Sequence, residues 1–275
     1  MNRNRPRYLA LCLLAALTAA FTPAAEEQLP PLTQAHAHND YEHRRPLFDA
    51  LDHGFASVEA DIHLVNGQLL VAHDLDKVKP ERTLQSLYLD PLRARAKRFG
   101  GRIYPNGDPT FYLLIDTKTD PIATYAVLRN VLNDYSDLLT RFDGAKIDTK
   151  AVTVVLTGNR PRTVLPGEKV RLAGLDGQMP DLLEHNPNGV FLWMSENWKN
   201  YFNWNGHDSF PDDQKARLLD MVAKAHERHM KVRFWNAPQS VAFWRELRAD
   251  GVDLLNADDL AGLEKFLRAK PVSKK

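Results

Sequence analysis

The fold this sequence predicts is α/β, a single-domain (β/α)8 barrel of the TIM type, and three observations predict it. Short runs rich in β-branched and aromatic residues alternate with stretches whose apolar residues recur at helical spacing, which implies parallel βαβ units. About eight such runs occur in 275 residues, a length that suits one barrel better than two cores. No Gly-x-Gly-x-x-Gly turn follows any of the runs, which weakens an open nucleotide-binding sheet. Residues 26–270 are read as the barrel and 271–275, in "AKPVSKK", as a frayed tail.

The first strand is expected around Gln34–His38, with a short helix near Pro46–His53 behind it. "FASVEADIHLV" and "GQLLVAH" read as two extended pieces joined at Asn66-Gly67, the strongest local signal for a hairpin. "RTLQSLYLDPLRARAKRF" is a helix expected to break or bend at Pro91. "TFYLLIDTK" is a buried strand, and "IATYAVLRNVLNDY" the helix after it. "AVTVVLTG", "KVRLAG", "GVFLWMS", "MKVRFWN" and "VDLLNA" supply the later strands. Helices near Asp212–Arg228, Ser240–Asp250 and Ala257–Ala269 separate the last of them. His226 and His229 close the first of these helices, where its dipole favours cations.

Ahead of the barrel, residues 1–25 carry three arginines, an apolar run from Tyr8 to about Ala20, and then small residues. That layout predicts a signal peptide and export to the periplasm or the medium, with an uncleaved anchor as the alternative. Without this segment 33 Lys+Arg face 35 Asp+Glu, so nothing electrostatic points to nucleic acid. The one cysteine, Cys12, lies inside the apolar run behind the bulky Leu11, which argues against a lipoprotein site. The mature chain is then thiol-free and holds neither a disulfide nor a Cys-ligated metal.

In such barrels chemistry gathers where strands end. His38, Glu59, Asp61, Asp116 and Trp235 all stand at expected strand C-terminal ends. Glu59 and Asp61 are two residues apart and share a strand face, with Val58 and Ala60 turned toward the helices. Two carboxylates held side by side call for a positive partner, and a hard divalent cation fits. Asp116 and Lys118 repeat the spacing, which suits a third ligand and a phosphate contact, or else a buried ion pair. His38 and His73, each near an aspartate (Asp40 and Asp74), are the acid–base candidates.

The ordered set His38, Glu59-x-Asp61, His73-Asp74, Asp116-x-Lys118 resembles the phospholipase C-like phosphodiesterase superfamily. That group includes glycerophosphodiester phosphodiesterases, phosphatidylinositol-specific phospholipases C and spider sphingomyelinases D. "HAHNDYEHRRPLFDAL" together with "RTLQSLYLDPL" is most similar to the branch known as altered inheritance of mitochondria protein six. The likeness is dense between His36 and Lys118, while "VRFWNAPQ" and "GVDLLNADDL" echo the last two strands weakly. The resemblance implies that Glu59, Asp61 and Asp116 bind one Mg²⁺ or Ca²⁺. His38 and His73 become general base and acid, Lys118 meets the phosphate, and Trp235 walls the pocket. Asn39 stands where glycerophosphodiesterases have an arginine, and Asn236 is a weaker substrate contact. The implied activity is hydrolysis of a glycerophosphodiester- or phospholipid-type substrate by a monomer.

Two other readings stay open on the residues. A non-catalytic barrel could bind a phosphorylated head group or sugar, using the aromatic run "FLWMSENWKNYFNWNGHDSF", which also suits transient contact with a membrane surface. His36-x-His38 also matches the opening of amidohydrolase-type zinc sites, but the expected fifth and sixth strands bring no further histidine.

Overall fold

In the computed structural model, which describes residues 30–107, 110–182 and 189–269, eight strands run parallel around a barrel. They are β1 (Leu32–Ala37), β2 (Phe55–Val65), β3 (Phe111–Thr117), β4 (Val152–Gly158), β5 (Ala173–Gly177), β6 (Phe191–Asn197), β7 (Lys231–Trp235) and β8 (Leu255–Ala257). The hydrogen-bonded order is β7-β6-β5-β4-β3-β2-β1-β8, and a single parallel bridge, Arg233 to Leu254, brings the two ends together. The expected signal peptide at 1–25 and the tail at 271–275 lie outside the described residues. No helix among the described residues is long and apolar enough to cross a membrane.

The period of two fixes the architecture. Ala35, Val58, Ala60, Ile62, Leu113, Ile115, Val154, Leu156, Val232 and Phe234 belong to one apolar layer shared with the helices. Leu128 and Leu132 of the helix Pro121–Asp134, Leu218 and Met221 of Asp212–Glu227, and Phe243 and Leu247 of Val241–Ala249 fill that layer from outside. Inside the barrel a separate small cluster, Leu114, Val155, Trp193 and Leu254, plugs the lumen. Above it the inward positions turn polar, and the register sets Asp61 beside Asp116 and Asp116 beside Thr157 across three strands.

Helix starts follow their caps. Asp120 accepts from the Ile122 and Ala123 amides ahead of Pro121, and Ser240 accepts from the Phe243 amide. The Asn66-Gly67 turn forms as expected, both residues at positive φ, and pairs β2 with Gln68–Val71.

Two local expectations need correction. The helix does not break at Pro91: a π turn, Gln85–Leu89, runs into the α-helix Asp90–Arg98, placing the proline in its first turn, where a missing amide is tolerated. "KVRLAG" is not the fifth barrel strand either. Its Val170–Arg171 joins a small antiparallel sheet with Arg141–Asp143 and Lys146–Asp148, and the barrel strand begins only at Ala173. Arg171 stacks its guanidinium over Phe142 there, so these extended residues pack within the small sheet rather than in the barrel.

Candidate active site

A cavity of about 460 Å³ opens at the C-terminal end of the strands. All nine residues singled out from the sequence line it: His38, Asn39, Glu59, Asp61, His73, Asp116, Lys118, Trp235 and Asn236. β1 ends one residue before His38, whose amide is held by the Ala257 carbonyl at 3.1 Å. β2 and β3 carry the three carboxylates, the Gln68–Val71 strand leads to His73, and β7 ends on Trp235.

Glu59, Asp61 and Asp116 each offer an oxygen within 4.8 Å of the others, the only such cluster of metal-ligating side chains among the described residues. Burial, and then repulsion from Glu59 and Asp116, lifts the Asp61 carboxyl to about 7 despite the nearby Lys118. Burial also raises Asp116, against the pull of Lys118. The Lys118 ammonium lies 2.9 Å from Asp61 Oδ2 and 2.9 Å from Asp116 Oδ2. It therefore takes one oxygen of each aspartate. The other oxygens, Asp61 Oδ1 and Asp116 Oδ1, are buried without any partner. A Cβ at position 158 would fall 1.9 Å from Asp116 Oδ1, so Gly158, at φ +66°, keeps space open beside that orphaned oxygen. Hard oxygen donors, two of them unsatisfied and mutually repelling, fit a divalent cation such as Mg²⁺ or Ca²⁺.

Below this layer Glu59 is bound from the other side. Arg233 donates to Glu59 Oε2 at 2.6 Å and to Asn256 Oδ1 at 2.7 Å, and His36 Nε2 lies 3.3 Å from the same Oε2. Burial alone would raise the Glu59 carboxyl, but the Arg233 guanidinium and the hydrogen bond from His36 together outweigh it and keep the group ionised. His36 is fully buried, its Nδ1 2.7 Å from Ser57 Oγ and its ring edge-to-face on Trp193. Burial, reinforced by Arg233, pushes its pKa down to about 3, and with Ser57 and Glu59 on its two ring nitrogens it stands as a neutral spacer outside the acidic cluster. The amidohydrolase reading loses its first ligand here.

Each of the two acid–base candidates has its own carboxylate. His73 Nδ1 lies 2.9 Å from Asp74 Oδ1, and Asp74 also accepts from Lys77 at 2.7 Å. These two contacts, Lys77 first, hold Asp74 down at about 2. His38 Nδ1 lies 2.8 Å from Asp258 Oδ1, and Gln239 donates to the same carboxylate. In the tautomer this pairing favours, Asp258 accepts the Nδ1 proton and leaves Nε2 free as a base. Asp40 is thus not the partner of His38. It is buried below the loop, accepting from the Leu47 amide and the Tyr88 hydroxyl, and burial raises its carboxyl to about 7.

The sequence reading passed over Arg233, Asp258, Tyr41 and Asp176. Arg233 sits between Val232 and Phe234, and a charge on the inward face of an apolar strand was a visible signal. Asp258 follows β8 as His38 follows β1, so the strand-end rule could have found it. The Tyr41 hydroxyl is 2.7 Å from Asp61 Oδ2 and 2.8 Å from Asn39 Oδ1, a contact no spacing announces. Asn236, at φ +53°, donates to Asn197 Oδ1 at 3.2 Å on the cavity rim.

Comparison with known proteins agrees with this fold. Residues 27–171 match the AIM6-like phosphodiesterase domain. Altered inheritance of mitochondria protein 6 from Eremothecium gossypii is 32% identical over 274 residues, spanning 86% of this chain and 70% of that protein. Its namesake from Lachancea thermotolerans is 34% identical, spanning 82% of this chain and 64% of that protein. The chain thus spans about two thirds of the length of these fungal relatives. Among solved structures, a glycerophosphodiester phosphodiesterase from Parabacteroides distasonis shares the barrel with a TM-score of 0.50 at 15% identity, covering 86% of this chain and 98% of the other. A phosphodiesterase from Oleispira antarctica, in complex with its product sn-glycerol-3-phosphate, also gives 0.50, at 12% identity over 86% of this chain and 98% of the other. With the match over more than half its length and these relatives, the chain belongs to the family of AIM6-like phosphodiesterase domains.

Proposed function

We propose that this protein hydrolyses a phosphodiester of the glycerophosphodiester or phospholipid type, with His38 and His73 as general base and acid and one divalent cation at Glu59, Asp61 and Asp116. The observation that carries this reading is a pair of histidines, each braced by its own carboxylate, lining the same cavity as the acidic cluster. The phosphodiesterase of Oleispira antarctica, caught with sn-glycerol-3-phosphate, supports a small phosphodiester substrate for this barrel.

The cation, when bound, supplies Lewis-acid stabilisation of negative charge on the phosphoryl oxygens. The chain's own residues do the rest. Lys118, held at the rim of the acidic pair, adds positive charge where the transition state gathers negative charge, in a partly dry mouth where that is most effective. His38, with Nδ1 fixed by Asp258, takes a proton at Nε2 from the attacking hydroxyl, and His73 returns one to the departing alkoxide. If the leaving side carries an adjacent hydroxyl, that group is the nucleophile and a cyclic phosphate forms; otherwise water attacks. Arg233 and His36 keep Glu59 ionised and oriented from beneath.

The site operates outside the cytoplasm in this reading, because the arginine-flanked apolar run at residues 1–25 reads as an export signal. Turnover of bis-p-nitrophenyl phosphate and of a glycerophosphodiester panel, with Mg²⁺ or Ca²⁺ and with chelator, tests the proposal. Metal-dependent release is expected; no turnover with either cation, while a phosphorylated head group still binds, would leave the non-catalytic alternative standing.

A further inference from the structure

The contacts that join His38, Asn39, Tyr41 and Asp61 have no part in the chemistry described above. Tyr41 is 2% exposed, and its hydroxyl lies 2.7 Å from Asp61 Oδ2 and 2.8 Å from one end of the Asn39 amide. The other end of that amide lies 3.2 Å from His38 Nδ1, which also faces Asp258 Oδ1 at 2.8 Å. The turn that gathers these groups is itself fastened. Asn39 sits at φ +50°, the Glu42 amide donates to its carbonyl, and Arg82 donates to the Tyr41 carbonyl at 2.6 Å.

Counting protons fixes the polarity of the chain. A phenol has one hydrogen to give, and the two ends of a carboxamide have nearly the same shape. With the Asn39 oxygen toward Tyr41, that one hydrogen faces two acceptors, and one close oxygen–oxygen contact is left without a proton. The amide nitrogen would then also point its hydrogens at His38 Nδ1, the atom whose proton Asp258 accepts. Turned the other way, every contact is satisfied. His38 Nδ1–H is shared between Asp258 Oδ1 and the Asn39 oxygen, Asn39 Nδ2–H donates to the Tyr41 hydroxyl, and that hydroxyl donates to Asp61 Oδ2. We propose that Asn39 and Tyr41 are positioning residues that tie the base His38 to the cation ligand Asp61 through one directional hydrogen-bond chain. At the His38 end the chain keeps the proton on Nδ1, so Nε2 is the bare nitrogen. At the Asp61 end Tyr41 and Lys118 both occupy Oδ2, which leaves the unpartnered Oδ1 for the cation. Asn39 is thereby spent inside the protein and not on phosphate. The proposal rests on the reading of His38 as base and Asp61 as ligand of one divalent cation.

Two measurements test it, and neither needs turnover. NMR of the metal-free wild type reads the polarity: the side-chain NH2 hydrogens of Asn39 should lie against the Tyr41 ring, and His38 Nδ1 should carry the proton. Amide hydrogens against the His38 ring, with Nδ1 bare, overturn the proposal. Calorimetric titration of Mg²⁺ reads the other end. Tyr41→Phe keeps the ring and removes the hydroxyl, and it should weaken binding by about tenfold or more. Asn39→Gly, which tolerates the positive φ, should weaken it less, and the double variant should bind no worse than Tyr41→Phe, because both act through one chain. Unchanged Mg²⁺ affinity in Tyr41→Phe overturns the proposal. So does an Asn39→Gly variant that keeps its Mg²⁺ affinity and loses glycerol 3-phosphate, since Asn39 would then belong to the phosphate. If the wild type binds neither Mg²⁺ nor Ca²⁺, the one-cation reading falls while the NMR polarity still decides the link. Thermal unfolding identifies a variant that does not fold, and the wild-type spectrum stands without it.

Discussion

Along β2, Val58, Ala60 and Ile62 turn outward into the helices, while Ser57, Glu59 and Asp61 turn into the lumen, and both sets are almost completely buried. β3 repeats the contrast near its end, with Ile115 outward and Asp116 inward. The outward layer gains free energy directly, about 25 cal/mol for each Å² of apolar surface removed from water. The lumen gains little that way and must satisfy every polar group it buries. It does so only in part: Arg233 pairs with Glu59 and Lys118 with Asp61 and Asp116, while Asp61 Oδ1 and Asp116 Oδ1 stay without a partner. Degree of burial therefore does not separate scaffold from site in this barrel. The face of the strand does.

That contrast can be broken from either side. The largest effect is expected from Arg233→Met, which leaves Glu59 buried without its cation. Urea denaturation should show a loss of about 3–5 kcal/mol, partly restored by adding Glu59→Gln, because the charge left behind and not the missing contact is the main penalty. On the outward face Leu113→Ala should remove about 2–5 kcal/mol by opening a cavity, while activity per folded molecule is kept. A parallel fall in both would show that the two faces are not independent.

Smaller effects sharpen the lumen itself. His38→Ala and His73→Ala should each lower kcat on the order of 10²-fold or more with little change in stability. Asp258→Asn should lower it by about tenfold and alter the pH profile of turnover, the signature of a residue that positions His38 without touching substrate. A separate test away from the chemistry is Asp40→Asn, read as stability against pH. The Asp40 carboxyl is raised from 3.8 to about 7 in the folded chain, mainly by burial. Between about pH 4 and 7 the folded state therefore holds a proton that the unfolded state has released, and stability falls as pH rises through that window. The asparagine variant should have a flatter profile there, measured by thermal unfolding across the range.

How much of this could be read in advance depends on sequence distance. Glu59-x-Asp61 and Asp116-x-Lys118 declare their shared faces through the two-residue period of a strand, and His73-Asp74 are neighbours, so these groupings are legible locally. Asp258 pairs with His38 from 220 residues away, and Arg233 reaches Glu59 across 174. No periodicity connects such positions; only closure of the barrel brings β7 and β8 against β1. Asp176 was hidden for another reason. "KVRLAG" has the stronger strand signal, but its first residues are taken by the small antiparallel sheet, and the barrel strand is the glycine-flanked "AGLDG".

The sequence by itself determined the alternation of strands and helices, the apolar outward face, and the carboxylates and histidines at the strand ends, because each follows from local spacing. Tertiary structure alone decided which charge neutralises which, that His36 is a buried spacer and Asp40 a loop clamp, and which polar groups stay unpartnered at the cavity. The physical reason is that electrostatic satisfaction depends on distance in space, and a closed barrel makes neighbours of residues that the chain keeps farthest apart.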